Sequence, residues 1–261
     1  MDTRDGSDDL ARALRLAWGI QERTSTRIEP FRWGSALYRD DLPQRYYSNL
    51  VRVEQPLRGV EVEELARATD RALDGLGHRQ IQVEDEDDGA RIALGLAERG
   101  YTADHSALLA LRREPDRAGD PELVDEVSYD EARPFLAEVY RRELKGNDAA
   151  FVEPFADFRR VVQEAANGRF FAQRLEGHMA GLCELYLVDG VAQVEHVDTL
   201  EEFRRRGVAR NVVLRAVHEA RGAAADLVVI RADLQHWPIQ LYRRLGFDEI
   251  GRTWAFTRPP A

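Results

Sequence analysis

An apolar, β-branched stretch (Val191, Val194, Val197, Thr199) runs through a short acidic turn into Arg204-Arg205-Arg206-Gly207-Val208-Ala209, and there a new periodicity begins. Val208, Val212, Val213, Ala216, Val217 and Ala220 recur with the 3.6-residue period of a helix that buries one face. A strand therefore feeds a helix through a basic loop, and any fold for this chain must accommodate that junction. The junction is an anion site by its geometry. The first N–H groups of a helix lack intrahelical partners, and the macrodipole leaves partial positive charge there. Gly207 lets the backbone approach a ligand where a Cβ would block it, and small Ala209 does the same two residues on. Arginine side chains then close the cradle around a pyrophosphate.

The order of elements continues in a specific way. After the helix comes the apolar strand Leu227-Val228-Val229-Ile230, then Gln235, then Pro238 at a first helical position, then Leu241-Tyr242-Arg243-Arg244-Leu245-Gly246-Phe247. Arg204-x-x-Gly207-x-Ala209 resembles the coenzyme A pyrophosphate loop of the GNAT acetyltransferases, Q/R-x-x-G-x-G/A, and the later run resembles that family's L-Y-x-x-x-G-F signature. Order, spacing and element type agree over roughly residues 125 to 258.

The resemblance implies an N-acetyltransferase that moves an acetyl group from acetyl-CoA directly to an amine, on a small molecule or a peptide. Such a reaction needs a polarised carbonyl, a deprotonated amine and a protonated leaving thiolate. Carried onto this sequence, Val197, Asp198 and Thr199 form the strand segment that holds pantetheine. The loop donors run through Arg205, Arg206, Gly207, Val208, Ala209 and Arg210, with Arg204 opening the motif. Gln235 stands where many members carry an asparagine that touches the coenzyme arm, and Tyr242 stands at the general acid. The plain alternative for Tyr242 is a helix aromatic packed on the sheet. Glu195 has the strand parity of Val197 and Thr199 and is a candidate base, with a solvated or salt-bridged carboxylate as the alternative. His196 falls on the other face. A second reading, from a different class, is a non-catalytic acetyl-CoA-binding regulatory or interaction protein.

The remaining features narrow the field. A formal net charge of −10 opposes binding to a phosphate backbone, so Arg204 to Arg206 are not read as a nucleic-acid contact. The same charge mildly favours a cationic amine by steering. One cysteine, Cys183, excludes an intrachain disulfide and a thiolate cluster for zinc. The acidic run from Glu84 to Asp88 lacks the spacing of a calcium loop, and no metal is expected. No apolar stretch suits a signal peptide or a membrane span, so a cytoplasmic protein, monomeric or homodimeric, is expected.

The segment Asp116 to Pro121 reads as a linker, and the sequence before it resembles the sequence after it. A strand at Asn49 to Val53, a helix from about Glu61, a strand at Arg79 to Val83, a helix capped by Asp88 and the pair Gly100-Tyr101 repeat the order seen later. In this first copy the loop Glu54 to Glu61 lacks the R-x-x-G-x-A spacing, and Glu61, Glu63 and Glu64 would repel a pyrophosphate. Two domains are expected, a degenerate GNAT-like copy over 1–117 and the acetyltransferase over 122–261. The expected class is α+β, with a mixed, mostly antiparallel sheet and flanking helices in each.

Overall fold

The computed structural model describes residues 6–260. The chain forms two compact units, and neither is one continuous stretch. The first unit comprises Ala17–Leu108, Ala232–His236 and the described residues from Ile250 on. The second comprises the described residues up to Leu16, with Leu109–Arg231 and Trp237–Glu249. The boundary expected between residues 117 and 122 falls inside this second unit.

A helix, α1 (Gly6–Thr24), begins the described chain. It is followed by the hairpin β1 (Arg27–Phe31) and β2 (Gly34–Tyr38), which hydropathy does not announce because β1 exposes every residue but Phe31. Then come β3 (Leu50–Val53), α2 (Val62–Ala72), β4 (Arg79–Val83), α3 (Glu86–Ala97) and β5 (Thr102–Leu111). The cap of α3 is Asp85, whose carboxylate accepts the Asp88 N–H, and not Asp88 as the sequence suggested. Asp88 is turned to another task and accepts the Leu57 N–H at 2.8 Å.

The second half contains β6 (Val124–Val127), α4 (Tyr129–Glu143), α5 (Ala149–Ala166), β7 (Arg169–Leu175), β8 (His178–Val188) and β9 (Val191–Thr199). It continues with α6 (Val208–Gly222), β10 (Leu227–Asp233), α7 (Pro238–Arg244) and β11 (Phe247–Arg258). The Asp116 to Pro121 segment is held against α6. Its Asp120 N–H donates to Asn211 Oδ1 at 3.0 Å, and the Arg117 carbonyl accepts from Arg210 at 2.7 Å.

In the first unit the strand order is β1-β2-β3-β4-β11, antiparallel except for the β3/β4 pair that α2 connects. In the second unit β6, β7, β8 and β9 are antiparallel in sequence, and β9 and β10 form the parallel pair that α6 connects. Each unit is thus a mixed, mostly antiparallel sheet with flanking helices, the class expected from the sequence. Leu65, Leu73, Ile81, Ile92, Leu96 and Phe256 sit in the first core, and Phe135, Leu136, Phe155, Phe170 and Leu182 in the second. All six residues of the predicted α6 stripe are buried. Among the described residues, no helix is long and apolar enough to cross a membrane.

Candidate active site

The two parallel pairs differ at their ends. In the first unit the β3/β4 ladder runs through Val53 and Val83, the last residues of both strands. In the second unit the β9/β10 ladder stops at Val194 and Ile230, although β9 continues to Thr199 and β10 to Asp233. Residues 195–199 remain paired with β8 on one side, while their other edge is open. Backbone groups on such an edge are free to bind a ligand as an added strand would be bound.

The open edge leads directly to the N-terminus of α6. Gly207 caps the helix in the left-handed region at φ 84°, no side chain accepts from the first turn, and Asn211 N–H to Gly207 O begins the ladder. A Cβ on Gly207 would meet nothing within 4 Å. The position a Gly207 side chain would take is therefore open space at the uncapped start of α6, as the sequence junction requires. Gly181 on β8 brings the helix this close, since a Cβ there would lie 2.4 Å from Val208 Cγ1 and 2.7 Å from the Asp198 carbonyl.

Around this cradle Arg204 and Arg205 are exposed, with only a 3.4 Å contact from Arg204 Nε to the Thr199 carbonyl between them. Arg206 is engaged by Glu176 at 2.8 Å and Arg210 by Asp116 at 3.2 Å. The Val208 side chain is buried beside Ala180 and Phe203, so only its backbone faces the loop. Ala209 is half-buried. Gln235 belongs to the other unit and has an exposed side chain.

A bulge in β9 changes which residues share a face. Leu182 pairs with Asp198 but Glu184 pairs with Glu195, so two β9 residues, His196 and Val197, oppose Cys183 alone. His196 takes φ 46° to make the bulge. Cross-strand partners point to the same side, so Glu195 and Asp198 lie together on the face that Leu182 and Glu184 present to α4 and α5. The parity argument that grouped Glu195 with Val197 and Thr199 is thereby overturned, because the alternation it assumed breaks at His196. Thr199, opposite Gly181, has a buried hydroxyl without a hydrogen-bond partner.

On that face lies a buried polar network absent from the sequence reading. Arg159 of α5 donates to both Glu184 oxygens, at 2.9 and 2.6 Å, and the Tyr186 hydroxyl donates to Glu184 at 2.8 Å. Burial alone would raise the Glu184 pKa, but Arg159 outweighs it and holds the carboxylate below its ordinary value. Asp198 has no such partner. Burial first, then the charges of Glu143 and Glu184, push it up to about 7. Glu195 is also raised by burial, against the pull of Arg231, and accepts a hydrogen bond from Gln193. His196 Nδ1 lies 3.9 Å from Asp198 Oδ2.

Tyr242 of α7 is buried, and its hydroxyl has no hydrogen-bond partner among the described residues. Burial, then the charges of Glu195, Asp198 and Cys183, raise its pKa, so the phenol stays protonated. Cys183 is buried, its thiol raised by burial and directed to the Val212 carbonyl at 3.2 Å on the α6 face. The signal for Arg159 was an arginine beside the apolar stripe of α5; nothing local marked the bulge.

The comparisons agree with this arrangement. Residues 130–247 match the acetyltransferase (GNAT) family. A GCN5-related N-acetyltransferase from Kribbella flavida superposes with a TM-score of 0.63 at 21% identity, covering 96% of this chain and 96% of that one. A functionally unknown conserved protein from Staphylococcus epidermidis superposes with a TM-score of 0.69 at 14% identity, over 91% of this chain and 95% of the other. A tandem GNAT protein from the clavulanic acid biosynthesis pathway gives 0.54 at 17% identity, over 80% and 74%. No curated protein matches the sequence. The family match is carried by residues 130–247, where the fold supports acyl transfer, and the solved structures share the fold with its repeated strand-helix-strand crossover.

Proposed function

We propose that the second unit transfers an acetyl group from acetyl-CoA to an amine by direct attack. The observation that carries this reading is the open edge of β9 ending on the uncapped N-terminus of α6. Bound there, acetyl-CoA supplies an activated acyl carbon and a thiolate leaving group. The backbone N–H groups from Arg205 to Arg210 hold its pyrophosphate, with the exposed guanidinium groups of Arg204 and Arg205 closing over it. The Val197-Asp198-Thr199 edge receives the pantetheine arm and polarises the carbonyl. For Gln235 the support is the resemblance alone. The first unit, whose β3/β4 ladder is closed to its ends, leaves no equivalent cleft and is read as empty of coenzyme.

Glu195 accepts the proton of the incoming ammonium, and its raised pKa makes it a better acceptor than an ordinary carboxylate. The amine nitrogen then attacks the carbonyl carbon, the C–N bond forms, and the C–S bond breaks. Tyr242 holds its proton towards the departing thiolate. Even an ordinary phenol at about 10 facing a thiol near 8.5 would give up its proton at a cost of about 2 kcal/mol, so hydrogen bonding to the developing charge precedes transfer.

Thermal unfolding tests the site. Acetyl-CoA at about a hundred times its dissociation constant should stabilise the protein by about 2.7 kcal/mol. Gly207→Glu should abolish the shift by placing a carboxylate in the pyrophosphate space, at about 1 to 2 kcal/mol of strain in the left-handed region. No shift in the parent protein would sink the reading. Release of free CoA that depends on an added amine supports the enzyme, whereas binding without turnover over a broad amine panel would favour the regulatory alternative.

A further inference from the structure

Glu184 on β8 and Glu195 on β9 stand opposite each other, a like-charged cross-strand pair that disfavours two ionised carboxylates. The chain supports the two differently. Arg159 gives Glu184 a full positive charge at both oxygens, and the Tyr186 hydroxyl donates to it as well. Glu195 forms no ion pair among the described residues, and its hydrogen bond comes from a neutral amide, the Nε2 of Gln193 donating to Oε1. No described residue donates to Oε2. Burial raises the Glu195 pKa; Arg231 on β10, the Gln193 amide and Arg159 on α5 draw it back, and Glu184 adds to the rise. The phenols of Tyr186 and of Tyr242 on α7 also feel Glu195, and burial keeps both protonated.

Gln193 is built into the sheet. It is 7% exposed, pairs across the ladder with Tyr186, and lies two residues before Glu195 on the regular part of β9, so the two side chains leave the same face. The bulge begins only at His196. Burying an amide costs free energy unless its donors are used, and here one is committed to a carboxylate.

We propose that Gln193 is the positioning residue of the proton acceptor, its amide holding Oε1 of Glu195 so that Oε2 takes the proton of the incoming ammonium. This inference rests on the acyl-transfer reading with Glu195 as base and deepens it. A neutral donor suits the task. A guanidinium in its place would make Glu195 as weak a base as Glu184, whereas burial with no donor would leave the carboxylate protonated and unable to accept.

The test follows Glu195 itself. In the full chain labelled with [5-13C]glutamate, its carboxyl signal is the one lost in Glu195→Gln, and its titration is read directly by NMR. Gln193→Met keeps the length of the side chain and removes the donor. The Glu195 midpoint should then rise by about 0.7 pH unit, the equivalent of about 1 kcal/mol at about 1.4 kcal/mol per unit. With an amine that turns over, the acid limb of single-turnover acetylation should rise by the same amount, which a packing role would not cause. In the parent, which needs no variant to fold, the side-chain amide protons of Gln193 should shift with the Glu195 midpoint. An unmoved midpoint or acid limb in folded Gln193→Met, or a parent amide insensitive to that titration, would overturn the proposal. Undiminished acetylation by Glu195→Gln would instead overturn the base reading beneath it.

Discussion

Asp198→Asn tests the electrostatics of the site without its chemistry. The aspartate titrates at about 7 in the folded protein against an ordinary 3.8, because burial and the charges of Glu143 and Glu184 disfavour its ionised form. The folded state therefore binds the proton more tightly than the unfolded state. Below about pH 4 both states are protonated and the group costs nothing; between about 4 and 7 stability falls as pH rises; above about 7 the whole cost is present. A difference of about 3 between the two values, at about 1.4 kcal/mol each, bounds that cost at about 4 kcal/mol. The side chain keeps 26% of its surface exposed, so solvent screening reduces the expectation to about 2 kcal/mol. Asparagine has nearly the same shape and carries no charge to desolvate. Urea unfolding should show parent and variant equally stable at about pH 4, and the variant more stable by about 2 kcal/mol at about pH 8.5. A difference independent of pH, or a variant that is less stable at the higher pH, would refute the reasoning.

Tyr242→Phe should lower the single-turnover acetylation rate by about 10² to 10⁴-fold with CoA affinity unchanged, since ring packing is retained and only a transition-state interaction is lost. Full activity would return the residue to a packing role. Glu184→Gln should cost about 3 to 5 kcal/mol by leaving the Arg159 guanidinium buried without a counterion. A loss below about 1 kcal/mol in denaturant unfolding would show that the network is solvated or can rearrange.

The elements that declared themselves in sequence are those where local and tertiary preferences coincide. β7, β8 and β9 are divided by Glu176-Gly177 and Asp189-Gly190, and in both pairs each residue takes positive φ, the backbone of tight hairpin turns. The α6 stripe and Pro238 at the start of α7 were equally plain. α4 does not declare itself by apolar spacing, since Pro134 and many charges lie inside it, although Ser128 and Glu131 form a reciprocal cap. At the site, the loop and Tyr242 were legible as motifs. The bulge at His196 was not, since it arises from pairing with β8, and with it went the true companions of Glu195. The Arg159, Glu184 and Tyr186 network joins an α5 residue to two on β8, and no local pattern encodes such a meeting.

The pairing of β4 with β11 has a consequence for how this chain comes to be folded. Val83 lies opposite Trp254 and Arg79 opposite Arg258, and Phe256 completes a core otherwise made from the N-terminal stretch. During synthesis β4 is made early and its partner very late. Through that interval one edge of β4 presents unsatisfied backbone groups beside an incomplete core, the condition that invites wrong strand partners and aggregation. The first unit thus cannot mature ahead of the second as a vectorial, domain-by-domain order would have it. Nascent chains stalled short of Thr253 should therefore depend on chaperones more than their length alone would suggest.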